Sequence, residues 1–526
     1  MKLFSDTVIG AVTAGLLLAG SAQAAPIAKL VQGRVSGVSL AKADAYMGIP
    51  YAQAPVGGLR WKAPVPAKSW SGVRKAEKAS ASCYQVLNPP EGREPWTPEY
   101  LIAPNISEDC LYLNVWAPHA AKGKKLPVLF WIHGGGFTEG SGAIPIYDGA
   151  NLASNDVIVV TMNYRLDAFG FLAHPELVKE AGTAGNYGVM DLVEALKWVK
   201  ANAAAFGGDP SQVTIAGQSA GSGAVHDLIG MPSAKGLFVR AIAESGSGMA
   251  PRAGAMTQGL AAGELFAKTA GAKSLADLRK LSSKAVLDTA VAVRKTPGQG
   301  FRAIVDGKVI PRDPTQAETE AGAVYNDTPI LTGLNSEELT GFDDNYGQWS
   351  TAEIQKRLDA FGPVAKRANW IYAPYGFTNS AALGAQLARD RGQGYAYVWA
   401  KRHLPQTRSP TYMYQYTHAT PGPKSARYGA FHTSEVPYAF QNLIGKDRNY
   451  TAVDQQVSKN VSGYWLNFIR TGNPNGAGLP TWPAFNLVDE QVMKLNEAPT
   501  AVRILSPEKR DLYEDYYKAG GQLSAH

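Results

Sequence analysis

Between residues 127 and 332, short apolar runs alternate with longer stretches of helical spacing. Pro127-Val128-Leu129-Phe130-Trp131-Ile132 is uninterrupted by polar residues and too short for a typical helix, which suits a strand buried on both faces. Val157-Ile158-Val159-Val160-Thr161 reads the same way. From Met190 to Ala205 the period changes, with Leu192, Ala195, Leu196 and Val199 on one helical face. Phe206-Gly207-Gly208-Asp209-Pro210 carries helix-stop residues, and Val213-Thr214-Ile215-Ala216 is the next strand. Ala241-Ile242-Ala243 and Ile330-Leu331-Thr332 follow as strands. The alternation predicts an α/β protein with a mainly parallel central sheet flanked by helices. Before it, Val31 to Val38 alternates apolar and polar residues and is turn-rich. Stretches around 256–295 and 351–391, rich in Ala, Leu and Lys, are expected as helical insertions capping the sheet. No linker-like tract or internal repeat divides residues 25–526, which are expected to form one domain with its insertions.

The N-terminus changes the picture of where the chain works. Lys2, an apolar run from Val8 to Ala19, and Ala22-Gln23-Ala24 form a signal-peptide pattern over residues 1–24, with Ala25 as the mature start. The run is short for a membrane span, and no later run is long and uncharged enough for one. A secreted or periplasmic protein without a membrane span is expected. Of 526 residues, 45% are hydrophobic and 18% charged, which argues against disorder. The net charge of +7 comes from scattered basic residues and short pairs such as Lys124-Lys125 and Lys401-Arg402, so no nucleic-acid partner is expected. The two cysteines, Cys83 and Cys110, suggest one disulfide in an exported chain. They are too few for a cysteine-only zinc site.

Candidate chemistry centres on Gly217-Gln218-Ser219-Ala220-Gly221, a G-x-S-x-G pattern between a predicted strand and a helix-compatible run. That context is the one in which a serine on a sharp strand-to-helix turn acts as a nucleophile in the α/β-hydrolase fold. A serine hydroxyl needs a base. In that fold the order along the chain is serine, acid, histidine, which leaves His403, His418, His432 and His526 as candidates. Order alone does not choose among them. Upstream, His133-Gly134-Gly135-Gly136-Phe137 follows a predicted strand and can aim backbone N–H groups at a developing oxyanion, with Ala220 giving a further N–H.

With these motifs in hand, the chain resembles the type-B carboxylesterases, the family of the cholinesterases, bile-salt lipases and bacterial para-nitrobenzyl esterases. The resemblance spans nearly all of residues 25–526. It is carried by Gly48-Ile49-Pro50-Tyr51-Ala52, Pro55-Val56-Gly57-Gly58-Leu59-Arg60-Trp61 and Ser107-Glu108-Asp109-Cys110-Leu111-Tyr112-Leu113-Asn114-Val115. Asn163-Tyr164-Arg165, Gly185-Asn186-Tyr187-Gly188 and Arg470-Thr471-Gly472-Asn473-Pro474-Asn475-Gly476 add to it. The resemblance implies the α/β-hydrolase fold and a Ser-His-Glu triad working through an acyl-enzyme. It implies Ser219 as nucleophile and His432, in Gly429-Ala430-Phe431-His432, as base. The acid lies in Gly333-Leu334-Asn335-Ser336-Glu337-Glu338, where the alignment favours Glu338 and leaves Glu337 as the adjacent alternative. Gly135, Gly136 and Ala220 are the implied oxyanion donors, and Ser245 a supporting serine near the acid. A Cys83–Cys110 disulfide and a structural Arg60–Glu108 ion pair are implied as well.

The chain departs from the family at Gln218, usually glutamate there, and at Asp167, where glycine is common. The expected activity is hydrolysis of a small-molecule carboxylic ester, with neither metal nor organic cofactor. The rival readings are cleavage of a related amide, carbamate or thioester bond, and a non-catalytic binding protein on the same fold.

Overall fold

The computed structural model describes residues 25–87, 93–102, 105–246, 254–323, 325–346, 348–375 and 380–521. The expected leader and His526 lie outside these. Among the described residues, eleven strands form one sheet. They are β1 (Val38–Ser39), β2 (Asp44–Pro50), β3 (Tyr112–Ala117), β4 (Leu126–Ile132), β5 (Ile158–Met162), β6 (Gly208–Gln218), β7 (Arg240–Glu244), β8 (Ile330–Asn335), β9 (Thr411–Tyr416), β10 (Gln491–Leu495) and β11 (Thr500–Arg503). Their spatial order is β11-β10-β9-β8-β7-β6-β4-β5-β3-β2-β1. From β10 to β5 every neighbouring pair is parallel. Antiparallel strands finish both edges. This is the α/β-hydrolase fold.

The apolar runs become strands because both faces of the sheet are covered. In β4, Val128, Phe130 and Ile132 join one core cluster, while Leu129 and Trp131 join the other. In β5, Ile158, Val160 and Met162 point one way and Val159 the other. Alternate residues thus enter opposite layers, and each fully buried side chain contributes about 1.5–3 kcal/mol of apolar burial. Helices α1 (Tyr187–Asn202) and α2 (Ala220–Gly230) lie in the first layer. A long helix at Ala452–Thr471 supplies Val457, Val461, Trp465 and Phe468 to the second.

The α1 pattern ends earlier than the spacing to Ala205 suggests. A 3₁₀ turn takes over at Ala203–Phe206, and Gly207, at φ 86°, reverses the chain. Strand β6 then begins at Gly208, paired with Leu126, and its register shifts before Val213. Pro210 falls in that interruption, where its missing N–H costs no ladder bond.

After β7 come α3 (Met256–Thr269), α4 (Leu275–Lys280) and α5 (Ser283–Arg294). After β8 come α6 (Thr351–Asp359), α7 (Ala365–Tyr372) and α8 (Ser380–His403). Two ion pairs, the first buried and the second half-buried, fasten the first group. Arg60 and Glu108 bond at 2.5 and 2.8 Å, Ser283 donates to Glu108 at 2.6 Å, and Arg60 donates to the Leu281 carbonyl at 2.6 Å. Arg294, closing α5, donates to the fully buried Asp167 at 2.6 Å. Cys83 and Cys110 are joined by a disulfide. Among the described residues, no helix is long and apolar enough to cross a membrane.

Candidate active site

Ser219 stands between β6 and α2 with φ 59° and ψ −122°, a conformation unusual for any residue but glycine. The turn is fixed by its own backbone. The Ser219 N–H donates to the Glu244 carbonyl at 2.9 Å, and its carbonyl accepts from the Gly223 N–H at 3.0 Å. A Cβ on Gly221 would stand 2.1 Å from the Ile132 carbonyl oxygen, so only glycine lets α2 start this close to β4.

Beyond Ile132 the chain enters the glycine loop. His133 is buried and stacked on Tyr164 at 4.4 Å. Burial lowers its pKa to about 4, so it is neutral and serves packing. Gly135 has φ 103°, and a Cβ there would meet the Glu139 carbonyl oxygen at 2.1 Å. Its own carbonyl accepts from the N–H groups of Thr138 and Glu139, each at 3.0 Å, which shapes the loop. Gly136 follows at φ 63°. Gly134 packs against the serine turn, since a Cβ on it would lie 3.1 Å from Ser219 Cβ. Ala220 is the first residue of α2, where a backbone N–H has no acceptor within its helix. Gly135, Gly136 and Ala220 are therefore on chain segments that meet at Ser219.

The expected acid and base, Glu338 and His432, arrive from the other half of the sheet. His432 hydrogen-bonds through Nδ1 to Glu338. The other Glu338 oxygen accepts from the Asn335 N–H at 2.7 Å. On its far side, His432 Nε2 lies 3.1 Å from Nε2 of Gln218, the residue before Ser219. The imidazole is thus set between Glu338 and the serine turn. Glu337 turns away, accepting from the Ala430 N–H at 3.2 Å and pairing with Arg389 at 3.4 Å. His403 stacks on Trp399, and His418 bonds to Asp454 and Glu497.

Several groups at this site were not singled out by motif. Asn335 ties both halves together. Its backbone holds Glu338, while its side-chain amide donates to the Phe431 carbonyl at 2.7 Å and to Glu435 at 2.5 Å. The G-x-N segment around it was the available signal. Ser245, named by the resemblance, is buried nearby, and its hydroxyl donates to Glu435 at 3.4 Å. Burial, then the Glu338 charge, raises the Glu435 pKa. Glu244, buried and bonded to the Trp465 indole at 2.8 Å, is raised by burial and by Glu435. Trp96 donates to the His432 carbonyl at 3.2 Å, and Phe342 packs on the His432 ring at 5.2 Å.

A fold of this class with a serine turn, a glycine loop and a Glu–His pair is that of a serine hydrolase. Residues 24–513 match the carboxylesterase family, and the chain belongs to it. It is 35% identical over 497 residues to the para-nitrobenzyl esterase of Bacillus subtilis (strain 168), covering 91% of this chain and 96% of that one. It is 33% identical over 464 residues to the fumonisin B1 esterase of Sphingopyxis macrogoltabida, covering 86% and 83%. A solved PNB esterase superposes with a TM-score of 0.78 at 32% identity, covering 93% of this chain and 99% of that one. The protein is a carboxylic ester hydrolase.

Proposed function

We propose that the protein is an exported carboxylesterase that hydrolyses small-molecule esters in two acyl-transfer steps. His432 takes the proton of Ser219 as Ser219 attacks the ester carbonyl. Glu338 accepts from Nδ1–H, fixing the tautomer and stabilising the imidazolium. The N–H groups of Gly135, Gly136 and Ala220 receive the oxyanion, each such donor contributing about 2.7–4 kcal/mol to the transition state. His432 then protonates the leaving alcohol, the ester oxygen departs with that proton, and Ser219 is left acylated. Water, deprotonated by the same imidazole, releases the acid and restores the hydroxyl.

The observation that carries this reading is the Glu338–His432–Gln218 chain of contacts, which sets the imidazole directly beside the Ser219 turn. A para-nitrophenyl phosphonate tests it. One adduct per chain is expected, on the peptide containing Ser219, with esterase activity lost in proportion. An adduct on any other residue, or activity that survives full labelling, would overturn the assignment. The export part rests on the leader pattern over residues 1–24 and on the disulfide.

A further inference from the structure

We propose that the protein has a second binding site, separate from the serine turn, for a small hydrophilic dianion. It is a cleft of about 700 Å³ between the carboxyl ends of β8, β9 and β10 on one side and the helices α8 and Pro507–Lys518 on the other. Ser219, Glu338 and His432 do not line it, while Glu337, beside the expected acid, forms part of its wall.

The cleft follows from a break in the hydrophobic pattern. In β9, Met413 enters the first core layer, and the next position on that face is Gln415. In β10, Val492 enters the same layer, and the next position is Lys494. Gln415 and Lys494 are register partners, so this face of the sheet ends in a polar patch at the carboxyl edge of its strands. Helix α8 answers it. Gln386, Arg389, Asp390 and Gln393 are spaced i, i+3, i+4 and i+7, and all four line the cleft. That is the spacing of a core-facing stripe, which is ordinarily apolar and here is polar throughout. Gln393 is only 5% exposed, and its carboxamide has no hydrogen-bond partner among the described residues. An amide buried in that state is costly unless a group in the cleft bonds to it.

The charge of the walls fixes the sign of the ligand. Arg389 pairs with Glu337 at 3.4 Å and Lys509 with Asp390 at 2.6 Å, so these charges cancel. Lys494 and Arg503 also line the cleft and form no ion pair among the described residues. Glu497, within electrostatic reach of Lys494, is bonded to His418. Two positive charges are therefore left for a ligand. The helix Pro507–Lys518 starts at the rim, with Ser506 and Lys509 on the wall, so the positive end of its dipole adds to this field. Gln393, Gln415 and Thr417 offer hydrogen bonds to a polar skeleton. A small molecule carrying two carboxylates, or a phosphate, matches this surplus.

Equilibrium dialysis of labelled malate and of labelled inorganic phosphate, at low salt and at a pH where both are dianions, tests the site. The proteins compared are the parent, Lys494→Gln, Gln393→Met and Lys124→Gln, Lys124 being an exposed residue outside the cleft. One saturable site per chain is expected, unchanged when Ser219 carries the phosphonate. Binding of malate alone makes it a carboxylate site, and binding of phosphate alone a phosphate site. Lys494→Gln is expected to weaken binding about tenfold and Gln393→Met about fivefold, with Lys124→Gln within about twofold of the parent. Saturable binding of neither anion would overturn the proposal. So would binding lost on labelling Ser219, which would put the anion in the catalytic site, and equal weakening by Lys124→Gln and Lys494→Gln, which would reduce it to general surface charge. If Lys494→Gln does not fold, Gln393→Met decides by the same criterion. The site stands apart from the triad reading: a Ser219 that takes no phosphonate would sink that reading and leave the variants to decide this one.

Discussion

Ser219 occupies a backbone region that costs a non-glycine residue about 1–3 kcal/mol, and four groups over-determine it: Glu244, Gly223, Gly221 and Gly134. The glycines of G-x-S-x-G and the first two of the upstream triplet are explained by close approaches, and the third, Gly136, by its φ of 63°, and that is why both motifs were legible. For the proposed acid, the sequence favoured Glu338 and left its neighbour Glu337 as the alternative. Glu337 and Glu338 differ in what meets them across the fold: Arg389 and a backbone N–H for the first, His432 for the second. Glu338→Gln should lower kcat by about four orders of magnitude, because an amide misorients the imidazole and cannot stabilise its cation. Glu337→Gln should leave kcat within about threefold of the parent. Steady-state rates on one para-nitrophenyl ester check both; the reverse pattern would make Glu337 the acid. The choice of His432 among late histidines was invisible to spacing, since its contact with Gln218 joins residues 214 apart. The tie made by Asn335 was hidden for the same reason.

At the level of elements, continuous apolar runs identified the strands correctly because the sheet is covered on both sides. Boundaries were less legible where a neighbour decides them. Helix α8 runs through Gly392 and Gly394, which resemble a stop. A Cβ on Gly394 would meet the Tyr513 ring at 2.3 Å, so the glycine serves a close crossing by the C-terminal helix Pro507–Lys518. Asp167 likewise has a use that its position hid. At φ 50°, it donates its N–H to the Phe137 carbonyl at 2.7 Å, and its carboxylate meets Arg294 of α5. It therefore joins the glycine-loop segment to the first helical insertion. Burial outweighs the guanidinium and raises its pKa from 3.8 to about 6. A raised carboxyl pKa means that the folded state binds more protons than the unfolded one between these values. Its contribution is therefore full below pH 4 and is lost as pH rises through about 6, a change of about 3 kcal/mol. Denaturant titrations of the parent and Asp167→Asn should diverge by this amount between pH 4 and 7, the parent losing ground as pH rises. Parallel pH profiles would show that Asp167 titrates as an ordinary carboxyl.

Across the whole molecule, what was legible is what repeats: strand–helix alternation over some two hundred residues and family motifs from the N-terminal strands to the last helices. Those motifs match a family that covers residues 24–513. Export belongs to this scale too. N-terminal sequencing of the protein recovered outside the cytoplasm should begin at Ala25; an intact Met1 would contradict processing. The most direct test of the central claim compares the mature protein with Ser219→Ala on short- and medium-chain para-nitrophenyl esters, with circular dichroism to verify folding. The account predicts turnover in the parent and a loss of about four orders of magnitude or more in kcat/KM for the folded variant. Undiminished turnover in folded Ser219→Ala would contradict it.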